Sequence, residues 1–191
     1  HIRGSQGDDS LTGDAGGNLL DGQGGDDTLD GGDGNDTLFG GAGDDTLSAG
    51  DGHDQIYARA GADAVDGGAG VDWLRYDGGA DQDMTIDLST GTGAGGDAEG
   101  DTYANIENVW ADGGDDTIIG DSANNDLRGD DGDDSLGGGA GDDRLMGGAG
   151  ADTLEGGDGS DTADYYSAVT GVTANLATGT GSGGEAEGDV Y

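Results

Sequence analysis

The chain has 191 residues, 48 of them glycine, with 43 acidic against 5 basic side chains and a formal net charge of -38. It has no cysteine, which excludes disulfides and thiolate metal sites, and no apolar run approaches the ~20 residues of a membrane span. A charge of this size repels nucleic acid, anionic membranes and polyanionic sugars and argues against all three as direct partners.

In chain order, the opening HIRGS reads as a cloning remnant, with residues 1–3 outside the pattern that follows, and no signal peptide is visible. From residue 4 a large apolar residue recurs every nine positions: Leu11, Leu20, Leu29, Leu38, Leu47, Ile56, Val65 and Leu74. Eight nonapeptide frames therefore start at 4, 13, 22, 31, 40, 49, 58 and 67 and fill residues 4–75. Residues 76–110 break the repeat, and MTIDL and NIENVW within them alternate like short strands. Val109 lies nine before Ile118, so the strand at NIENVW is already back in phase. A second block of six frames, starting at 111, 120, 129, 138, 147 and 156, spans 111–164 with markers Ile118, Leu127, Leu136, Leu145, Leu154 and a weak Ala163. Residues 165–191 then echo the insert: DLSTGTGAGGDAEGDTY (87–103) matches NLATGTGSGGEAEGDVY (175–191), 88 residues on. VTANL in that echo is a further predicted strand. The first copy continues into NIENV where the second stops, so a longer parent with more such modules is expected.

Each frame ends its glycine-rich part on a carboxylate. Position six is Asp in twelve frames and Asn in two (Asn18, Asn125), and position four is Gly in all but one (Ala123). Glycine tolerates positive φ and close backbone approach, so G-G-x-G-x-D is predicted to turn. The remaining three residues, such as Thr37-Leu38-Phe39, are predicted to form a short strand with its central side chain inward. Two nonapeptides make one coil of 18 residues. Stacked coils give an all-β solenoid, a parallel β-roll with alternate repeats on opposite sheets and the markers between them. So thin a core, with carboxylates stacked over one another, is not expected to hold without a counter-ion.

The string GGDGNDTLF GGAGDDTLS resembles the RTX, or haemolysin-type, calcium-binding nonapeptide G-G-x-G-x-D-x-U-x, and fourteen copies in phase make the resemblance specific. It implies a β-roll in which each Ca²⁺ bridges a turn and the turn one coil later. The first turn supplies the carbonyls of positions two and four and its position-six carboxylate; the second supplies the carbonyls of positions one and three and its own carboxylate. Carried onto frames 31 and 49, one site is Gly32, Gly34, Asp36, Ala49, Asp51 and Asp54. The position-six residues so implied are Asp9, Asn18, Asp27, Asp36, Asp45, Asp54, Asp63, Asp72, Asp116, Asn125, Asp134, Asp143, Asp152 and Asp161. The implied position-one carbonyls are Gly22, Gly31, Gly40, Ala49, Ala58, Gly67, Gly129, Gly138, Gly147 and Gly156, and the position-two carbonyls Gly32, Gly41, Gly50 and Gly139. At position three they are Gly24, Asp33, Ala42, Asp51, Ala60, Ala69, Asp131, Ala140, Ala149 and Asp158, and at position four Gly7, Gly16, Gly25, Gly34, Gly43, Gly52, Gly114, Gly132 and Gly141. Six oxygens suit a hard cation. Eight stacked repeats offer six such pairs of turns and six offer four, so about ten Ca²⁺ ions are expected. Asn18 and Asn125 offer a neutral oxygen and imply weaker sites. The frame ARAGADAVD lacks Gly at its first two positions but keeps Gly61 and Asp63, and Ala163 implies that the roll is ending.

Other motifs have plainer readings. Gly91–Gly96 and Gly179–Gly184 satisfy GxGxxG, yet the AEGDTY that follows the first cannot form the helix a dinucleotide site needs. No EF-hand loop fits, and there is no HExxH, GxSxG or cysteine nucleophile, so this stretch is not expected to be an enzyme. His53, at position five, reads as a solvated surface residue, and the position-five acids Asp8, Asp26, Asp44, Asp115, Asp133 and Asp142 as a solvated rim. Trp73 and Trp110 flank the insert and are expected to pack in the core or at its edge rather than stack on a sugar.

The resemblance implies a secreted or cell-surface bacterial protein, exported unfolded through type I secretion machinery and folded by calcium outside. Partners are then calcium and neighbouring modules of the same chain. The parent could be an enzyme with such a tail (protease, lipase or alginate epimerase) or a large adhesin. A rival reading is a ligand-binding face for ice or carbohydrate. It asks for a row of Thr at one outward position, and position seven runs Ser10, Leu19, Thr28, Thr37, Thr46, Gln55, Ala64, Trp73, broken in chain order.

Overall fold

An apolar residue every nine positions gives each nonapeptide one large side chain to bury, and strands built on it must alternate inward and outward. The computed structural model describes residues 1–191 apart from 77, 79–81, 169–170, 172, 176–178, 183 and 187–188. Successive repeats go to opposite sheets, and each strand pairs in parallel with the strand eighteen residues on, as in Leu20↔Leu38 and Leu29↔Leu47. Among the described residues a nine-stranded first sheet carries Ile2, Leu20, Leu38, Ile56, Leu74, Val109, Leu127, Leu145 and Ala163. A ten-stranded second sheet carries Leu11, Leu29, Leu47, Val65, Tyr103, Gly93, Ile86, Ile118, Leu136 and Leu154. The expected parallel β-roll is thus present, and its marker side chains are buried between the sheets from Leu11 to Leu154. The ladder reaches the chain's opening, where Ile2 pairs with Leu20.

Strands are longer than the three residues expected. Thr37–Ala42 covers positions seven to nine and one to three, which leaves only positions four to six as the turn. The chain bends inside the strand instead, because position two takes a left-handed backbone. Gly41 has φ 122, and so in kind do the non-glycines Gln23, Arg59 and Asp130, with φ of 84, 77 and 89. Position one consequently faces inward, and Ala49 and Ala58 join the core fully buried.

The insert fits into the stack unevenly. On the first sheet Leu74 pairs directly with Val109, without an intervening strand. On the second sheet three strands lie between Val65 and Ile118: Thr102–Ala104 parallel to the block below, Thr92–Ala94 antiparallel, and Thr85–Asp87 parallel to the block above. The strands expected at MTIDL and NIENVW are these Thr85–Asp87 and Asn108–Trp110 strands. The second copy folds alike: Thr173–Asn175 pairs antiparallel with Thr180–Ser182, and Val190 bridges to Thr153 as Thr102 does to Ala64.

All five arginines, Arg3, Arg59, Arg75, Arg128 and Arg144, lie on strands of the first sheet. Arg128 stacks 4.4 Å from the Trp73 ring and 5.0 Å from Trp110, and Arg75 stacks 4.4 Å from Trp110. Tyr57 continues the stack onto Phe39 at 4.4 Å. Trp73 and Trp110 are therefore half-buried on the sheet's outer surface against guanidinium groups, and neither belongs to the core. The π-face of an indole holds a cation well, and the spacing of adjacent strands brings the two together.

Candidate metal centre

The short turns at positions four to six lie in columns along the edges of the roll, and position six faces inward there. Nearly every position-six residue donates its backbone N–H to Oδ1 of the Asp one coil later. Asp27 donates to Asp45 at 2.8 Å, Asp36 to Asp54 at 2.7 Å, Asp116 to Asp134 at 2.8 Å and Asp143 to Asp161 at 3.0 Å. One oxygen of each carboxylate is thereby satisfied. The other is not: Oδ2 of Asp27, Asp36, Asp45, Asp54, Asp63, Asp72, Asp116, Asp134, Asp143 and Asp152 is buried with no hydrogen-bond partner among the described residues. Buried polar atoms are almost always paired, so ten orphans in one repeated position demand a partner of another kind.

Backbone oxygens point to the same gaps. Ala49 O and Asp36 Oδ2 both crowd the place where a side chain on Gly31 would sit. From the coil below, the carbonyl oxygens of Gly32 and Gly34 fill the places where side chains on Gly50 and Gly52 would sit. The position-three carbonyls already accept one bond each; Gly34 N–H donates to Asp51 O at 2.7 Å and Gly43 N–H to Ala60 O at 3.0 Å. Among the described residues no group of three or more His, Cys, Asp or Glu side chains is clustered for a metal. Each gap instead offers two carboxylates set among carbonyl oxygens, an all-oxygen donor set that fits a hard cation such as Ca²⁺.

The charge of these carboxylates is costly as they stand. Burial first, and neighbouring carboxylates of the column after it, push Asp45 and Asp72 up to about 6, Asp116 to about 7, and Asp63 and Asp134 to about 8.

Four position-six residues differ from the rest. Asp9, at the start of its column, accepts Ser5 N–H on Oδ2 at 2.5 Å. Asp161, at the end of the other column, is exposed. Asn18 turns back on its own turn: its Oδ1 accepts Asp14 N–H at 3.1 Å and its amide donates to Gly16 O. Asn125 accepts Asp121 N–H at 2.9 Å and donates to Glu107 O, one coil down, at 2.7 Å. In both, an amide N–H takes a backbone carbonyl where the other turns present a bare carboxylate oxygen.

The reading of position six in the sequence missed three carboxylates that take its part. Asp63 N–H donates to Asp101, Asp72 N–H to Glu107 at 2.9 Å, and Asp152 N–H to Asp189. It also missed Met84, whose N–H donates to Asp116 Oδ1 at 2.8 Å and which brings no carboxylate of its own. A signal was present: Asp101–Tyr103, Glu107–Val109 and Met84–Ile86 keep the two-residue spacing of positions six and eight.

The rim is ordered by its own ladder, running the opposite way. Asp44 N–H donates to Asp26 Oδ1 at 3.0 Å, Asp133 N–H to Asp115 Oδ1 at 2.9 Å, and all of these acids are exposed. His53 takes the same place with a ring nitrogen, its Nδ1 accepting Val71 N–H at 3.0 Å.

The family model of the RTX calcium-binding nonapeptide repeat (4 copies) matches residues 3–38, 21–56, 30–64, 39–74, 48–83, 101–136, 110–145 and 137–165. Among curated proteins no match is found.

Proposed function

Because the chain belongs to the RTX calcium-binding nonapeptide repeat family, we propose that it is a calcium-responsive module of a secreted protein, unfolded where calcium is scarce and folded by calcium after export. The β-roll is a structural calcium-binding element rather than a catalytic one. The observation that carries the proposal is the set of ten buried, unpartnered Oδ2 atoms. In water these carboxylates are solvated; in the roll they are stripped, and at neutral pH a bound cation restores the balance. Each ion would be held by the position-six carboxylates of two successive coils, with the carbonyls of positions two and four below and one and three above. About ten ions would bind, and they would offset roughly half of the net charge of -38. Type I secretion machinery and neighbouring modules are the partners that follow from such a role. Circular dichroism in EDTA, then with calcium added, tests it: a cooperative β signal is expected at roughly 10⁻⁴–10⁻³ M, the range of extracellular modules. A folded spectrum in EDTA at neutral pH would sink the proposal.

One observation favours an added adhesive role. The position-seven row is broken in chain order, but alternate repeats lie on opposite sheets. The second sheet alone aligns Ser10, Thr28, Thr46 and Ala64 with Thr102, and then Thr85, Thr117, Ser135 and Thr153. Retention of the calcium-loaded chain on ice or on an insoluble polysaccharide, lost on replacing Thr28 and Thr46 by Asp, is the expected outcome; retention unchanged by those substitutions would exclude this face.

A further inference from the structure

The ladder of position-six bonds runs past the last nonapeptide of each block and into the insert above it. Asp63 N–H donates to Asp101 Oδ1 at 2.8 Å, and Asp152 N–H donates to Asp189 Oδ1 at 2.9 Å. Asp101 and Asp189 thus stand where the next coil's position six would stand. Beneath them, Oδ2 of Asp63 and of Asp152 is buried and unpartnered among the described residues, in side chains 1% and 0% exposed.

The upper carboxylate is held differently from any other in the roll. Tyr76 Oη donates to Asp101 Oδ2 at 2.5 Å and lies 2.7 Å from Tyr103 Oη. In the second copy Tyr165 Oη donates to Asp189 Oδ2 at 2.5 Å and lies 2.5 Å from Tyr191 Oη. The same three side chains meet twice in one chain. With Oδ2 tied back by tyrosine, the rotation of the carboxylate is fixed and Oδ1 is kept toward the coil below. Where Asn occupies position six, its amide closes its own turn or reaches the coil below and no carboxylate remains, as at Asn18 and Asn125. At Asp63 and Asp152 a carboxyl group with an unpartnered oxygen is retained.

We propose that Asp63 with Asp101, and Asp152 with Asp189, each hold a calcium ion that clamps the insert onto the last coil of its repeat block, with the tyrosine pair aiming the upper carboxylate. The inference rests on the calcium reading of the repeats and adds two sites outside the fourteen nonapeptides. It makes the insert a docked part of the calcium column: withdrawal of the ion leaves two buried carboxylates facing each other across the junction, which drives the insert off.

Equilibrium dialysis against calcium, with bound metal counted on the full chain, tests the inference. Asp101→Asn with Asp189→Asn keeps shape and the accepted N–H bonds but removes both upper charges; it is expected to bind two ions fewer than the unsubstituted chain. Asp189→Asn alone perturbs only the coil beneath the second insert and is expected to lose one ion, so an unchanged count there overturns the inference however the double variant folds. Tyr76→Phe leaves both carboxylates and is expected to keep the full count while raising the midpoint of one ion several-fold; loss of that ion outright would mean that the hydroxyl, not the carboxylate, makes the site. An unsubstituted chain that binds no calcium overturns the calcium reading itself, a different result from an unchanged count in the Asn variants.

Discussion

Asp45 works on two sides at once. Its Oδ1 accepts Asp27 N–H from below and its N–H donates to Asp63 Oδ1 above. Replacing it by Ala removes a ligand from two gaps and leaves the carboxylates of Asp27 and Asp63 without countercharge. Asp9 borders one gap, and Asp44 only props the exposed rim, accepting from Ala62 N–H at 3.0 Å. Calcium titrations should place the midpoint of Asp45→Ala about tenfold or more above that of the unsubstituted chain (about 1.4 kcal/mol or more), with Asp9→Ala between and Asp44→Ala nearly unmoved. Equal midpoints for Asp45→Ala and Asp44→Ala would mean that position six is not the ligand. Asn125 gives the converse test. Its amide reaches Glu107 O at 2.7 Å, in a turn of only three residues between Ala104 and Asn108. Asn125→Asp loses that donor and buries a new charge there, so the calcium-loaded chain should be destabilised by roughly 1–3 kcal/mol; a rise in its melting temperature would show that calcium enters this gap as well.

At the scale of a strand or turn, glycine is needed only in some places. Gly50 has φ 107, and a side chain there would overlap Gly32 O from the coil below. Gly50→Ala pays at least the ~1–2 kcal/mol of a left-handed L-residue and pushes coils apart as well, whereas Gly137, with nothing within 4 Å of its would-be Cβ, should accept Ala within about 0.5 kcal/mol. Thermal melts in saturating calcium compare the two; similar losses would contradict the stacked geometry. The columns also set a pH response. Asp63, Asp116 and Asp134 are raised in the roll to about 8, 7 and 8, far above the ordinary carboxylate range, chiefly by burial. The calcium-free roll therefore binds more protons than the unfolded chain, so protons substitute in part for the metal at low pH. Its stability is greatest below pH ~4 and is lost as pH rises toward ~8. In EDTA the β signal should grow on acidification from pH 8 to 4; a signal that falls over that range would reverse the sign. Much of this was legible in the sequence. The nine-residue phase placed every marker from Leu11 to Leu154 in the core and on alternate sheets, because period and burial are local properties of the repeat. The strand length was not, since nothing in the letters of Gln23, Arg59 or Asp130 announces a left-handed backbone. Nor was the role of Asp101, whose partner Asp63 is 38 residues away and is reached only by the insert's hairpin.

Across the whole molecule, charge is divided unevenly. The cations keep to the first sheet, where Arg128 and Arg144 both bridge to Asp126, at 2.9 and 2.7 Å. The acids crowd the turns, and on the proposed reading it is the ions held there that decide whether the roll folds. Calorimetry of the full chain should return about ten calcium ions from the stacked repeats, and about twelve with the two junction sites, released together on unfolding. Three or fewer would contradict a metal in every stacked gap.

Pairing at a spacing of eighteen also bears on how such a gene can change. Loss or gain of eighteen residues within a block removes or adds a whole rung and leaves each later residue on its own sheet and each carboxylate in its own column. Loss of nine moves everything downstream to the opposite side: Trp73 would join the threonine row, and Asp63 would change columns. Slippage between neighbouring repeats should therefore survive selection in even numbers of nonapeptides. Variation in the length of this protein among strains is expected in steps of two repeats, with odd steps confined to the ends.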